Sequence, residues 1–290
     1  MSVYDFFRIL LLAALWGGSF FFMRTSAADF GPVGLMFVRT ALAAVCLSPF
    51  FLLRGNFSYL LRQAVPLSFV GLIGTALPFC LLGFAALTLS AGITGVLNST
   101  TPFFTLLVAL LWAGQSTTLL QVGGILLGLV GVAVMSLESF VINPGAVGLA
   151  VLAGLAAALC YGVSTNYIKR CMQDIPSRVI ASGSIFFAAL WLLPFALWLW
   201  PEVKIPTTSW LHAALLAVLS TAVAYLIFYD LVARVSAVAA TSVIFIVPVF
   251  AALWGRLFLM EKLSWLMLSG MFISLLGTSM TVGLWQRKKM

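Results

Sequence analysis

The chain has 290 residues, 63% of them hydrophobic and only 8% charged, against about 25% charged in an ordinary soluble domain. Fifteen Lys and Arg stand against seven Asp and Glu, a formal net charge of +8. These cations fall singly or in short clusters between apolar runs, which excludes a nucleic-acid-binding domain and points to a membrane protein with positive cytoplasmic loops.

Apolar runs near or above the roughly 18 residues of a bilayer-spanning helix recur along the whole chain. Ten spans are expected, at 6–24, 33–53, 64–86, 91–113, 119–137, 146–168, 179–199, 209–231, 236–258 and 264–284. Pro32, Pro66 and Pro176 each precede or open a span, where a missing N–H costs nothing. Connections are short, so neighbouring spans are expected to be antiparallel. No soluble domain is inserted, so function belongs to the membrane part. The first run reads as a retained span, because the second half of the chain keeps its counterpart internally. Cys46, Cys80, Cys160 and Cys171 show no metal-ligand spacing and read as packing residues.

Span 1 carries Trp16, Gly17 and Ser19. Span 2 carries Arg39 about six residues in, roughly 9 Å along the helix. An ionised side chain at that depth faces an aqueous cavity or a partner. It either grips a substrate carboxylate through two hydrogen bonds or snorkels to the surface. Span 3 offers Phe79. In span 4, Asn98-Ser99-Thr100-Thr101 is followed by Pro102, which cannot donate to the carbonyl of Asn98. A kink with an open acceptor is expected there, and the polar run either lines a cavity or stabilises a helix seam. Gly124 and Gly128 in span 5, and Gly270 and Gly277 in span 10, fit close helix contact.

Span 6 places Tyr161, Ser164 and Asn166 in sequence, and span 8 places Tyr225, Phe228 and Tyr229 at helical spacing. His212 reads as an interface residue. Asp230 and Arg234, four apart, are expected to pair with each other or with water. Pro248 supplies a second kink in span 9. The expected substrate-binding set is therefore Trp16, Ser19, Arg39, Phe79, Asn98, Thr101, Tyr161, Ser164, Asn166, Tyr225 and Tyr229, with hinges at Pro102 and Pro248. An aromatic-lined cavity with a few polar groups suits an amphipathic ligand of amino-acid size.

The chain is a unit of roughly 145 residues written twice. At a shift of 146, Thr75–Ser136 falls on Thr221–Val282 without a gap, matching Pro102 to Pro248 and Gly124 to Gly270. At a shift of 145, Trp16-Gly17 meets Tyr161-Gly162 and Ser19 meets Ser164. The halves are expected to divide as 1–140 and 141–290. With the N-terminus inside, the cytoplasmic side carries Arg8, Arg54, Arg62, Lys169, Arg170, Arg178, Arg234, Arg287, Lys288 and Lys289. Only Arg24, Lys204, Arg256 and Lys262 lie outside, so both termini are expected in the cytoplasm. A five-span unit is odd, so its second copy enters the membrane inverted. The basic loop has moved accordingly, from the second loop of the first copy to the first loop of the second. Inverted copies are typical of secondary transporters.

Ala14-Leu15-Trp16-Gly17-Gly18-Ser19 with its echo in span 6, Pro32 followed by Arg39, and Glu261 followed by Gly270 and Gly277 resemble the EamA-type branch of the drug/metabolite transporter superfamily. The resemblance spans essentially the whole chain. It implies an all-α integral membrane protein of ten helices, arranged as two inverted five-helix repeats around a central cavity. It also implies export of amino acids or related metabolites from the inner membrane. One departure is Gln115, where many relatives close the fourth span with an acid. All seven carboxylates sit at span ends or in loops, which argues against a carboxylate proton relay, and no Walker motif points to ATP. No cofactor, metal or nucleic acid is expected; the partners are a small-molecule substrate and the lipid bilayer. Efflux of drugs or lipophilic cations is the rival reading, ahead of a scaffold or a membrane enzyme.

Overall fold

The computed structural model describes residues 3–52, 57–113, 117–234, 243–282 and 284. Arg54, Gln115 and the basic residues at 287–289 lie outside these. The described residues form helices and no strand. In order they are α1 (Val3–Leu52), α2 (Phe57–Arg62), α3 (Ala64–Gly71), α4 (Leu77–Thr88), α5 (Ala91–Ser99), α6 (Thr101–Ala113), α7 (Leu119–Ile142), α8 (Pro144–Cys171), α9 (Ser177–Trp198), α10 (Thr207–Ala217), α11 (Ala224–Arg234), α12 (Val243–Leu259) and α13 (Trp265–Thr281). Seven helical stretches among the described residues are long and apolar enough to cross a membrane; α12 and α13 are shorter apolar helices.

The first of those stretches, Tyr4–Pro49, covers both the first and second predicted spans. Its break is at Gly31, with φ 70° and ψ 154°. Pro32 disfavours a helical residue before it, and only glycine takes this backbone region at little cost. A Cβ on Gly31 would meet nothing within 4 Å. Gly31→Ala is therefore expected to destabilise by about 1–3 kcal/mol through backbone strain alone, read as a lower thermal unfolding temperature in detergent.

Two short π-helical segments, Leu72–Ala76 and Val218–Val223, join α3 to α4 and α10 to α11. They stand at equivalent places of the sequence repeat. The inter-helix contacts repeat in the same way. A Cβ on Gly17 would lie 2.7 Å from Phe250 Cβ and 2.9 Å from Ala251 N, while one on Gly162 would lie 2.8 Å from Phe104 C and Thr105 N. Gly17 corresponds to Gly162, and Phe250-Ala251 to Phe104-Thr105. Likewise Gly124 packs on Gly277, and Gly131 on Gly270. These glycine contacts fall in matched pairs at equivalent positions of the sequence repeat.

Candidate functional site

Between the halves lies a cavity of about 410 Å³. The π segments shape it, as such bulges often do at functional sites. Leu72–Ala76 brings Thr75 and Gly74 to the wall. Val218–Val223 carries the buried Thr221, whose Oγ1 donates to the carbonyl of Leu216 at 3.0 Å and accepts from Arg39 Nε at 2.9 Å. Arg39 is only 5% exposed, and its Cζ lies 3.7 Å from the ring centroid of Phe79. The guanidinium is therefore turned inward, held by a hydroxyl and an aromatic face, instead of reaching for the bilayer surface. Among the described residues, neither ion pair involves it.

Trp16 and Tyr161, repeat counterparts, both line the cavity, as do Ser19 and Ser164 beside them. Trp16 packs on Phe228 at 5.3 Å and on Tyr225 at 6.5 Å between ring centroids. Nine of the eleven expected binding residues share this wall: Trp16, Ser19, Arg39, Phe79, Asn98, Thr101, Tyr161, Ser164 and Tyr225. The side chain of Tyr229 lies outside the described residues. Asn166 is not on the wall, because its amide nitrogen donates to the carbonyls of Thr105 and Gly162, both at 2.9 Å. It ties α8 to α6. Phe20, Met23 and Val247 also line the cavity without having been singled out. The first two sit at three- to four-residue steps from Trp16, and that spacing would have found them.

The polar run of span 4 divides. Its helix breaks between α5 and α6 at Thr100, two residues before Pro102. Asn98 and Thr101 face the cavity, while Ser99 and Thr100 are buried elsewhere and donate to Val96 and Leu97 carbonyls, both at 2.7 Å. The acceptor expected to stand open at Asn98 is filled, since Thr101 Oγ1 donates to it at 2.7 Å. Pro248, by contrast, lies inside the unbroken α12.

Charged pairs involve Arg8 and Arg24, near the two ends of the stretch of α1 that precedes Gly31. Towards the chain's N-terminus, Arg8 pairs with Asp230, 222 residues away in sequence. The expected pairing of Asp230 with Arg234 involves a side chain that lies outside the described residues. A smaller cavity of about 160 Å³ adjoins there, sharing Ala181 and Tyr225 with the large one and lined also by Arg178 and Asp230. At the opposite end, Arg24 Nη1 donates to the carbonyls of Ala86 and Leu87, at 2.9 and 2.7 Å, where α4 finishes. Glu261 accepts from the Ala91 N–H at 3.1–3.2 Å, where α5 starts, and lies 4.0 Å from Arg24. The pair thus staples the corner between two helices.

Glu261 is in the connection between α12 and α13. Burial raises its pKa above the ordinary 4.5, and the Ala91 N–H and then Arg24 oppose that rise only in part. A carboxyl whose pKa is raised on folding adds stability below its unfolded pKa and loses it as pH rises through the folded value. Thermal stability is therefore expected to fall with rising pH above about 4.5. Glu261→Gln should flatten that part of the profile, measured as unfolding temperature against pH for both proteins.

The model of the EamA-like transporter family matches residues 6–137 and again 148–283. The chain belongs to the EamA-like transporter family. Like that family, it is a multi-pass membrane protein. The "Probable amino-acid metabolite efflux pump" of Escherichia coli K12 is 26% identical over 304 residues, covering 99% of this chain and 98% of that one. "Uncharacterized transporter YvbV" of Bacillus subtilis 168 is 25% identical over 268 residues, covering 91% and 87%. "Uncharacterized inner membrane transporter YedA" of E. coli K12 is 26% identical over 270 residues, covering 91% and 86%. A protein crystal structure that is 17% identical covers 99% of this chain and 100% of that one, with a TM-score of 0.68, a likeness of fold.

Proposed function

We propose that the protein is a secondary transporter of the inner membrane that exports amino acids or related small metabolites. The observation that carries this reading is the inward-turned, buried Arg39 in an aromatic cavity between the two halves. Such a group costs much to bury and serves as a handle for a substrate anion. The name of the E. coli relative, an amino-acid metabolite efflux pump, supports the same substrate class. Substrate contacts are assigned to Trp16, Ser19, Arg39, Phe79, Asn98, Thr101, Tyr161, Ser164 and Tyr225.

In this reading ten helices form two inverted units, 1–140 and 141–290. Support comes from the break at Gly31, which divides one long helix into two spans, and from the double family match. The self-matching contacts of the glycines support it as well. The excess of cations in alternate loops supports an orientation with both termini in the cytoplasm. The units rock about the cavity, with the break before Pro102 taking up more of the motion than Pro248. The Arg8–Asp230 and Arg24–Glu261 pairs lie where the two ends must alternately open.

The test is counterflow in proteoliposomes preloaded with unlabelled amino acids. Labelled amino acid is expected to accumulate, and a labelled lipophilic cation is not. Accumulation of the cation alone would transfer the protein to the drug-efflux reading, which a lone buried cation in the cavity disfavours.

A further inference from the structure

Among the described residues, the cavity is lined by one cation, Arg39, and no anion. All seven Asp and Glu are described residues, and none lines it. Asp230 lines the adjoining cavity, where it is paired with Arg8 and shares the wall with Arg178. The hydroxyls of Ser19 and Thr101 give their hydrogens to backbone carbonyls, at 2.6 and 2.7 Å. Their lone pairs could accept from an ammonium, but they supply no counter-charge. A carboxylate gripped by Arg39 in an α-amino acid brings its own ammonium to roughly 5 Å from the guanidinium, between mostly apolar walls that screen like charges less than water does. An anion without that ammonium leaves the site neutral; a zwitterion leaves it at +1, and an amine raises it to +2. The walls of Trp16, Phe79, Tyr161 and Phe228 meanwhile suit a ring.

We propose that the site selects arylalkyl monocarboxylates that carry no ammonium group over the zwitterionic amino acids of the same shape. This deepens the transporter reading and rests on it. Three probes share one ring and chain: 3-phenylpropionate, phenylalanine and phenethylamine. Binding to the purified full-length protein in detergent, followed by calorimetry, and competition in counterflow give the same ranking by independent readouts. We expect 3-phenylpropionate to bind at least ten-fold more tightly than phenylalanine, with phenethylamine weakest. Asn98→Asp, which puts a carboxylate on the wall, should erase or reverse that preference.

Equal or tighter binding of phenylalanine by the wild-type protein overturns the proposal and leaves the transporter reading intact. So does an Asn98→Asp variant that folds and keeps the wild-type ranking. Failure of all three probes, with counterflow of tetraphenylphosphonium, overturns the transporter reading for metabolites and this proposal with it. The wild-type series decides the matter even where the variant does not fold.

Discussion

Arg39→Ala is expected to reduce counterflow of a carboxylate substrate by on the order of 100-fold while the protein stays folded. Charge-assisted hydrogen bonds contribute roughly 1.5–3 kcal/mol each, and two of them from one fork make a factor of about 100 a modest expectation. Stability should survive for a reason visible in the contacts. Thr221 Oγ1 keeps its own bond to the carbonyl of Leu216 at 3.0 Å when the arginine is gone, so no buried partner is orphaned. Removing a buried cation also removes its desolvation cost. Arg39→Lys separates charge from shape. It keeps the cation but loses the planar fork, the bond to Thr221 and the stacking on Phe79, and transport is expected to fall about ten-fold. Transport and unfolding temperature are measured on the same preparations. Unchanged transport of both amino acids and ammonium-free carboxylates in Arg39→Ala would remove the anchor from the mechanism.

The parts of this site that the sequence announces are those with a long-range signature. Trp16 and Tyr161 stand out because one repeat maps onto the other, and both line the cavity. Arg39 stands out because a charge inside an apolar run is costly. Local polarity was a poorer guide. Of Asn98-Ser99-Thr100-Thr101, two residues face the cavity and two are buried away from it, a choice fixed by the break at Thr100 and not by composition. Asn166 looked like part of the wall, but its amide does better against two backbone carbonyls in a dry interface. Arg8, one partner of Asp230, lies 222 residues away, beyond any argument from spacing. The π segments leave no mark in composition at all, yet they bring Thr75 and Thr221 to the site.

Close contact is legible in the sequence at Gly124, Gly128, Gly270 and Gly277, and the structure adds Gly131, where the distances set the other large effect. A Cβ on Gly131 would lie 2.4 Å from Ser274 N and 2.6 Å from Gly270 O; one on Gly270 would lie 2.5 Å from Met135 N and 2.6 Å from Gly131 O. The obstructing atoms are backbone, so no rotamer change can relieve the clash, and the helices must separate. Inside a bilayer their association depends on just such close packing, with no hydrophobic drive to replace it. Gly131→Ala is therefore expected to destabilise by about 3 kcal/mol and to cut the yield of monodisperse protein, and Gly131→Val to abolish it. Gly123 supplies the control on the same helix, since a Cβ there meets nothing within 4 Å. Gly123→Ala should be neutral or slightly stabilising, because alanine favours a helix by up to about 1 kcal/mol over glycine. Equal unfolding temperatures for Gly131→Ala and Gly123→Ala would mean that α7 and α13 are not in backbone contact. A large gap between them locates a seam at which α7 and α13 meet backbone to backbone.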